Sequence, residues 1–230
     1  LLYGVLLGAY ALAAWIGGTW GWRWAFALVA LMSVACAAWV WRAMPEGVRP
    51  PALSGRDWAR TLQSPVIMLA VAVTAVSSFG QFTLFAYFAP YYREVMGASA
   101  SEVSLLFLWF GIFGLLGNVL VSRRIDRLGA SKAVLLTLGA MALGLALWPL
   151  GTLGLVAQAL VLVPWALGCF SGNSAQQARL VPLAPTLAPA TVALNTSAIY
   201  GGQAMGAALG GVLIAQGWMR HLHAVGMVLM

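Results

Sequence analysis

Residues 103–121 read VSLLFLWFGIFGLLGNVLV, a run without one ionisable side chain. As a helix it would reach about 28 Å at ~1.5 Å per residue, close to the ~30 Å hydrocarbon core of a bilayer. Nothing else constrains the chain as strongly, because in lipid only a helix or a closed barrel satisfies its own backbone. Further apolar runs cover about Leu1–Ile16, Trp24–Val40, Pro65–Ala89, Ala133–Trp148, Leu153–Ala175 and Thr191–Ala215, and one begins near Leu222. They are rich in Ala, Leu and Gly and lack the roughly ten-residue alternation of barrel strands. The sequence therefore predicts an all-α polytopic membrane bundle of about eight helices, the last one truncated. Only 7% of residues are charged, too few to cover a water-facing surface, which for soluble domains takes about a quarter. The net charge of +7 does not point to nucleic acid, because the cations lie between membrane-length runs and form no solvated face. Cys36 and Cys169 both sit inside apolar runs, so no structural disulfide is expected, and no pattern implies a cofactor or metal. Both ends fall within apolar runs and no initiator Met is present, so the chain reads as a piece of a longer protein.

Loops of such a chain alternate sides, and the cations sort accordingly. One side receives Arg42, Arg49, Arg56, Arg60, Arg123, Arg124, Arg127, Lys132 and Arg179; the other receives only Arg23, Arg93 and Arg220. Cations are retained in the cytoplasm, so the Pro- and Gly-rich linker 43–64 and the loop 122–132 are expected to be cytoplasmic, in a cell membrane of the bacterial inner type.

The loop SRRIDRLGASK concentrates four cations and one carboxylate between two apolar runs. It reads as a tight turn, with Gly129 in a positive-φ terminating position, Ser131 capping the next helix, and Asp126 before that helix, at the positive end of its dipole. By charge alone these residues serve as topology anchors. Their order resembles the signature loop of the major facilitator superfamily: a Gly, three residues, Asp-Arg, any residue, a Gly, then basic residues. Asp126, Arg127 and Gly129 match, Ser122 stands where the first Gly is usual, and the basic run is reduced to Lys132. GGTWGWRWAFAL resembles the junction of the fifth and sixth helices, FAYFAPYYREVMGASASEVSLLFLWFGIFGLLGNVLVSRRIDRLG the seventh and eighth, and ALNTSAIYGGQAMGAALGGVLI the eleventh helix of the drug and sugar efflux branch. One departure concerns the antiporter signature of the fifth helix: Gly17 and Gly18 are present, but Ala13 and Ala14 replace its Gly-Pro.

The resemblance implies helices five to twelve of twelve. Residues 1–42 would end the N-terminal bundle, 43–64 form the central linker, and 65–230 form the C-terminal six-helix bundle. It further implies a secondary transporter, monomeric at full length and surrounded by lipid. Such a protein moves a small molecule by alternating access, as an efflux system with protons as candidate coupling ion. Asp126, Arg127 and Gly129 would belong to the conformational-switch loop.

Polar side chains at lipid depth normally face a cavity or a neighbouring helix. Thr74, Ser77, Ser78, Gln81, Phe85 and Phe88 share one helical stripe; Gln158, Trp165, Cys169 and Asn173 share another; Asn195, Thr196, Tyr200 and Gln203 cluster on a third run. Gln81, Phe85, Trp165, Asn195, Tyr200 and Gln203 are the candidate substrate-cavity residues, facing a neutral or amphipathic small molecule. Gly202, Gly206 and Gly210, and likewise Gly114, Asn118 and Ser122, repeat every four residues and read as helix-packing ladders. No Asp, Glu, Lys or His lies centrally in any run, so a proton-carrying carboxylate is not found here. Two other functions compete. A non-transporting receptor or scaffold fits the composition equally well. An intramembrane hydrolase would need Ser171 beside His221 or His223, which fall toward opposite faces of the membrane.

Overall fold

The computed structural model describes residues 15–43 and 53–230; the first apolar run and most of the linker lie outside them. Among the described residues the chain is helical without strands. Six helical stretches are long and apolar enough to cross a membrane.

Helix α1, Trp22–Ala43, has no buried residue and carries exposed Trp22, Trp24, Trp39 and Trp41. Within the linker 43–64, Gly55–Gln63 forms a short helix, α2. Ser54 Oγ accepts from the Asp57 N–H and the Asp57 carboxylate accepts from the Ser54 N–H at 3.0 Å. This reciprocal cap offsets the Gly and Pro content before it.

Helix α3, Pro65–Phe85, breaks at Ala86–Tyr87 and resumes as α4, Phe88–Met96, which Gly97 ends at φ 67°. A second capping box, Ser99 with Glu102, opens α5, Ala100–Leu128. At about 43 Å, α5 outruns a bilayer and carries the basic loop with it. Nothing in RRIDRL opposes helix, so the expected eleven-residue turn reduces to one residue, Gly129 (φ 81°, ψ 139°). Two expectations fail there. Ser131 lies inside α6, Ala130–Leu147, whose N-cap is Gly129 itself. Asp126 is in the last turn of α5, at the negative end of that dipole rather than just before α6.

A 3₁₀ turn, Trp148–Leu153, leads to α7, Leu155–Leu183; then come α8, Ala188–Ala215, and α9, Leu222–Val228. α6 and α7 run antiparallel, with Gly144 against Trp165 and Gly168 against Thr137. α4 meets the 3₁₀ turn Met219–His221 at one end of the bundle, and α2 touches α3 and α8 at the other.

Glycine decides the closest approaches. A Cβ on Gly202, Gly206 or Gly210 would strike the carbonyl oxygens of Ala75, Phe79 and Thr83 respectively. Four-residue spacing on α8 thus meets four-residue spacing on α3, with backbones near enough for Cα–H···O contacts. Gly114 lies against the Phe170 ring, and Asn118 accepts from Ser174 Oγ at 2.7 Å. Ser122 is exposed and packs nothing. Gly117, outside that ladder, makes the closer approach, to the Leu167 carbonyl. The core is aromatic: Phe88, Tyr91, Tyr92, Phe110, Trp148 and Trp165 are at most 2% exposed.

Candidate functional site

Between α3, α6, α7 and α8 lies a cavity of about 490 Å³, within the range of small-molecule sites. From α3, Thr74, Ser77, Ser78, Gln81 and Phe85 reach its wall; from α6, Thr137 and Met141; from α7, Cys169, Phe170, Asn173, Gln176 and Gln177; from α8, Thr196, Tyr200 and Gln203. Among the described residues the wall carries no Asp, Glu, Lys, Arg or His. Its character is set by amides and hydroxyls on an apolar and aromatic background, which suits an uncharged ligand with a flat apolar body.

Of the six candidate cavity residues, Gln81, Phe85, Tyr200 and Gln203 stand in this wall. Gln81 Nε2 donates to Cys169 Sγ across the cavity. Trp165 does not reach it. Its ring is fully buried, edge-on to Phe88 at 5.0 Å and Trp148 at 5.5 Å. Gly144 leaves the room for its Cβ, which turns position 165 toward α6 and the core. Asn195 is also fully buried, holding α8 to α3 by accepting from Thr74 Oγ1 at 2.7 Å. Both were expected in the cavity because they share a stripe with residues that are there; at those heights the stripe faces a helix.

Gln176, Gln177 and Thr137 are cavity residues that the sequence reading did not single out. The polar QQAR suggested that the sixth run ends at Ala175, whereas α7 continues to Leu183. The available signal was the spacing Cys169, Asn173, Gln176, Gln177, which extends one helical face by another turn.

Asp126 and Arg127 are exposed, and Asp126 forms no ion pair among the described residues. A hydrolytic centre is not assembled. The Ser171 hydroxyl is fully buried and donates to the Leu167 and Gly168 carbonyls of its own helix, while His221 and His223 follow α8 at the opposite end.

The sequence pattern of the Major Facilitator Superfamily matches residues 2–207. The chain belongs to the major facilitator superfamily. It is 31% identical over 211 residues to the transcription regulatory protein OpdE of Pseudomonas aeruginosa, covering 89% of this chain and 52% of OpdE. It is 33% identical over 146 residues to the purine ribonucleoside efflux pump NepI of Shigella sonnei, covering 62% of this chain and 37% of NepI. With the inner membrane transport protein YdhP of Escherichia coli K12 the identity is 26% over 213 residues, covering 92% of this chain and 54% of YdhP. The chain thus spans about half the length of OpdE and YdhP. It is a multi-pass membrane protein of a transporter superfamily whose members bind small molecules, and not an enzyme.

Proposed function

We propose that this chain carries the substrate-binding cavity of a secondary transporter that exports small neutral molecules of purine-nucleoside type by alternating access. One observation supports the reading above others: the uncharged, amide- and hydroxyl-lined cavity with Phe82, Phe85 and Phe170 in its wall. Phosphates and other anions find no cation to pair with there, whereas a nucleoside offers a stackable base and several hydrogen-bonding groups. The name of the NepI relative agrees with this substrate class, and efflux is the direction both the resemblance and that name favour. The wall supplies no carboxylate, so in this reading any coupling to protons lies with residues elsewhere.

Residues 1–42 then close an N-terminal bundle, 43–64 link it, and 65–230 form the C-terminal bundle, with 43–64 and 122–132 cytoplasmic. Single cysteines at the exposed Ser54 and Ser131 should escape an impermeant thiol reagent in intact cells; labelling of either reverses the orientation.

The deciding experiment follows efflux of radiolabelled inosine from cells expressing the gene. Expression should lower retained inosine, and Gln81→Ala or Gln203→Ala should raise the apparent KM without lowering abundance. No effect of expression on retention refutes the function; unchanged KM in both variants refutes the site. A membrane sensor is the second reading, favoured by the regulatory name of OpdE. It predicts nucleoside binding without net movement.

A further inference from the structure

One group in the cavity wall has a fixed direction and no partner among the described residues. Gln176 is 4% exposed. Its Nε2 donates to the Ala70 carbonyl at 2.6 Å and to Thr74 Oγ1 at 3.1 Å, which uses both amide hydrogens. A reversed amide would set Oε1 against the Ala70 carbonyl, two acceptors at hydrogen-bond distance, so Ala70 dictates the orientation. The Thr74 hydroxyl donates onward to Asn195 Oδ1 at 2.7 Å. The relay joins α7, α3 and α8, and the donors of Gln176 and Thr74 in it each have an acceptor. Gln176 Oε1 is buried without a hydrogen-bond partner among the described residues, on a side chain that lines the cavity.

We infer that Gln176 is a specificity-determining residue whose Oε1 accepts a hydrogen bond from an N–H or O–H of the neutral molecule in the cavity. This rests on the cavity being the substrate site proposed above. The amide cannot turn to find another donor without breaking the Ala70 and Thr74 bonds, so the acceptor is held ready for a ligand. Oε1 is itself buried, so a donor on a molecule seated against Gln176 supplies the hydrogen bond that none of the described residues gives it. A molecule that lacks a donor there leaves a buried acceptor unpaired and binds roughly ten-fold or more weakly. In a nucleoside the donor is either a base N–H or a ribose hydroxyl, and matched analogues separate these.

The test is displacement of tritiated inosine from the full-length gene product in nanodiscs by 1-methylinosine and by 2′-, 3′- and 5′-deoxyinosine. In the unmodified protein one analogue should bind about ten-fold or more weakly than inosine. In Gln176→Met that ratio should fall to near unity. Asn195→Ala, outside the cavity wall, removes a relay partner but keeps both Gln176 bonds, so it should retain the ratio, which a merely structural role for the network would not produce. Gln176→Asn withdraws the acceptor by one methylene, about 1.5 Å. It replaces the Met variant if that one fails to fold, with the same expected loss. Analogue ratios that are identical with and without Gln176 overturn this assignment while leaving the cavity standing. Failure of the unmodified protein to retain any inosine overturns the cavity reading and this assignment together.

Discussion

Gly201 and Gly202 are neighbours on α8 and offer a controlled test of the packing argument. A Cβ on Gly201 meets nothing within 4 Å. A Cβ on Gly202 would sit 2.9 Å from Ser78 Cβ and 3.1 Å from the Phe79 nitrogen, and nearer still to the Ala75 carbonyl oxygen. Restoring an ordinary ~3.5 Å contact at Ser78 alone requires α3 and α8 to part by about 0.6 Å, and more at Ala75. The same movement stretches the 2.7 Å Thr74–Asn195 bond to roughly 3.3 Å, past the useful range, and loosens the contacts of Gly206 and Gly210. Both Gly→Ala changes gain the same helix propensity, up to about 1 kcal/mol. The difference between the two variants therefore isolates packing, and overpacking of this kind costs about 1–3 kcal/mol. Unfolding followed by intrinsic tryptophan fluorescence should show Gly201→Ala level with or above the unmodified protein. Gly202→Ala should lie below it by roughly 2–4 °C for each kcal/mol lost. Equal shifts for the two, or a stabilised Gly202→Ala, would refute the ladder as the bond between these helices.

Gly129→Ala should lower Tm although open space surrounds it, because φ 81° with ψ 139° is strained for an L-residue by about 1–2 kcal/mol; an unchanged Tm would mean the turn relaxes freely. Asp126→Asn should leave abundance unaltered and slow transport a few-fold, ~5 at most for an exposed charge, and transport at the unmodified rate reduces this residue to an anchor. The Asp57 carboxyl is held below its usual pKa of 3.8, first by the Ser54 side-chain hydrogen bond and then by its backbone N–H. A depressed carboxylate stabilises the fold fully above its ordinary pKa and loses that contribution as pH falls through the lowered one. Amide exchange in residues 55–63 should accordingly show constant opening from pH 7 to about 5 and greater opening below about 4, and Ser54→Ala, which keeps the backbone N–H bond, should weaken the pH dependence.

The architecture was legible because each long apolar run has one physical solution, and GxxxG-type spacing on α8 announced the seam it makes. The cavity was legible only in part. Gln81 and Asn195 are both amides on apolar helices, yet one lines a cavity and the other is sealed between helices. What separates them is the rotation of α8 on α3, which the Ala75, Phe79 and Thr83 carbonyls fix from a distance of more than a hundred residues. Trp165 is misread for a similar reason: Gly144 on another helix creates its niche. The crossing of α3 and α9 is built from two single glycines, Gly80 and Gly226, each placing its carbonyl 2.6 Å from where the other's Cβ would be. A repeat can be seen within one segment; a reciprocal pair far apart in the chain cannot. Gln176 was missed on local grounds, since polar residues at the end of an apolar run look like a loop until the helical stripe is extended through them.

These contacts divide the bundle into two firmly packed groups with the cavity at their junction. α3 is joined to α8 by the glycine ladder. α7 is joined to α6 by Gly168 on the Thr137 carbonyl and by Gly144 on Trp165, and to α5 by Gly117 on the Leu167 carbonyl. Backbones in these seams touch, so parting them sacrifices many dispersion contacts at once. Across the junction the cavity level is bridged by hydrogen bonds, Gln176 to Ala70 and Thr74 and Gln81 to Cys169, and one end is closed by Phe85 and Phe88 packed on Phe110 and Trp165. Each is a hydrogen bond from a side-chain amide of the cavity wall, and the Ala70 carbonyl holds that of Gln176 in one orientation. In the proposed reading a molecule entering the cavity meets the hydrogen-bonded part of this junction and leaves the glycine seams intact. The sequence encodes part of this difference: glycines stand where helix backbones touch, while amides stand both in the cavity wall, at Gln81 and Gln176, and inside a seam, at Asn195.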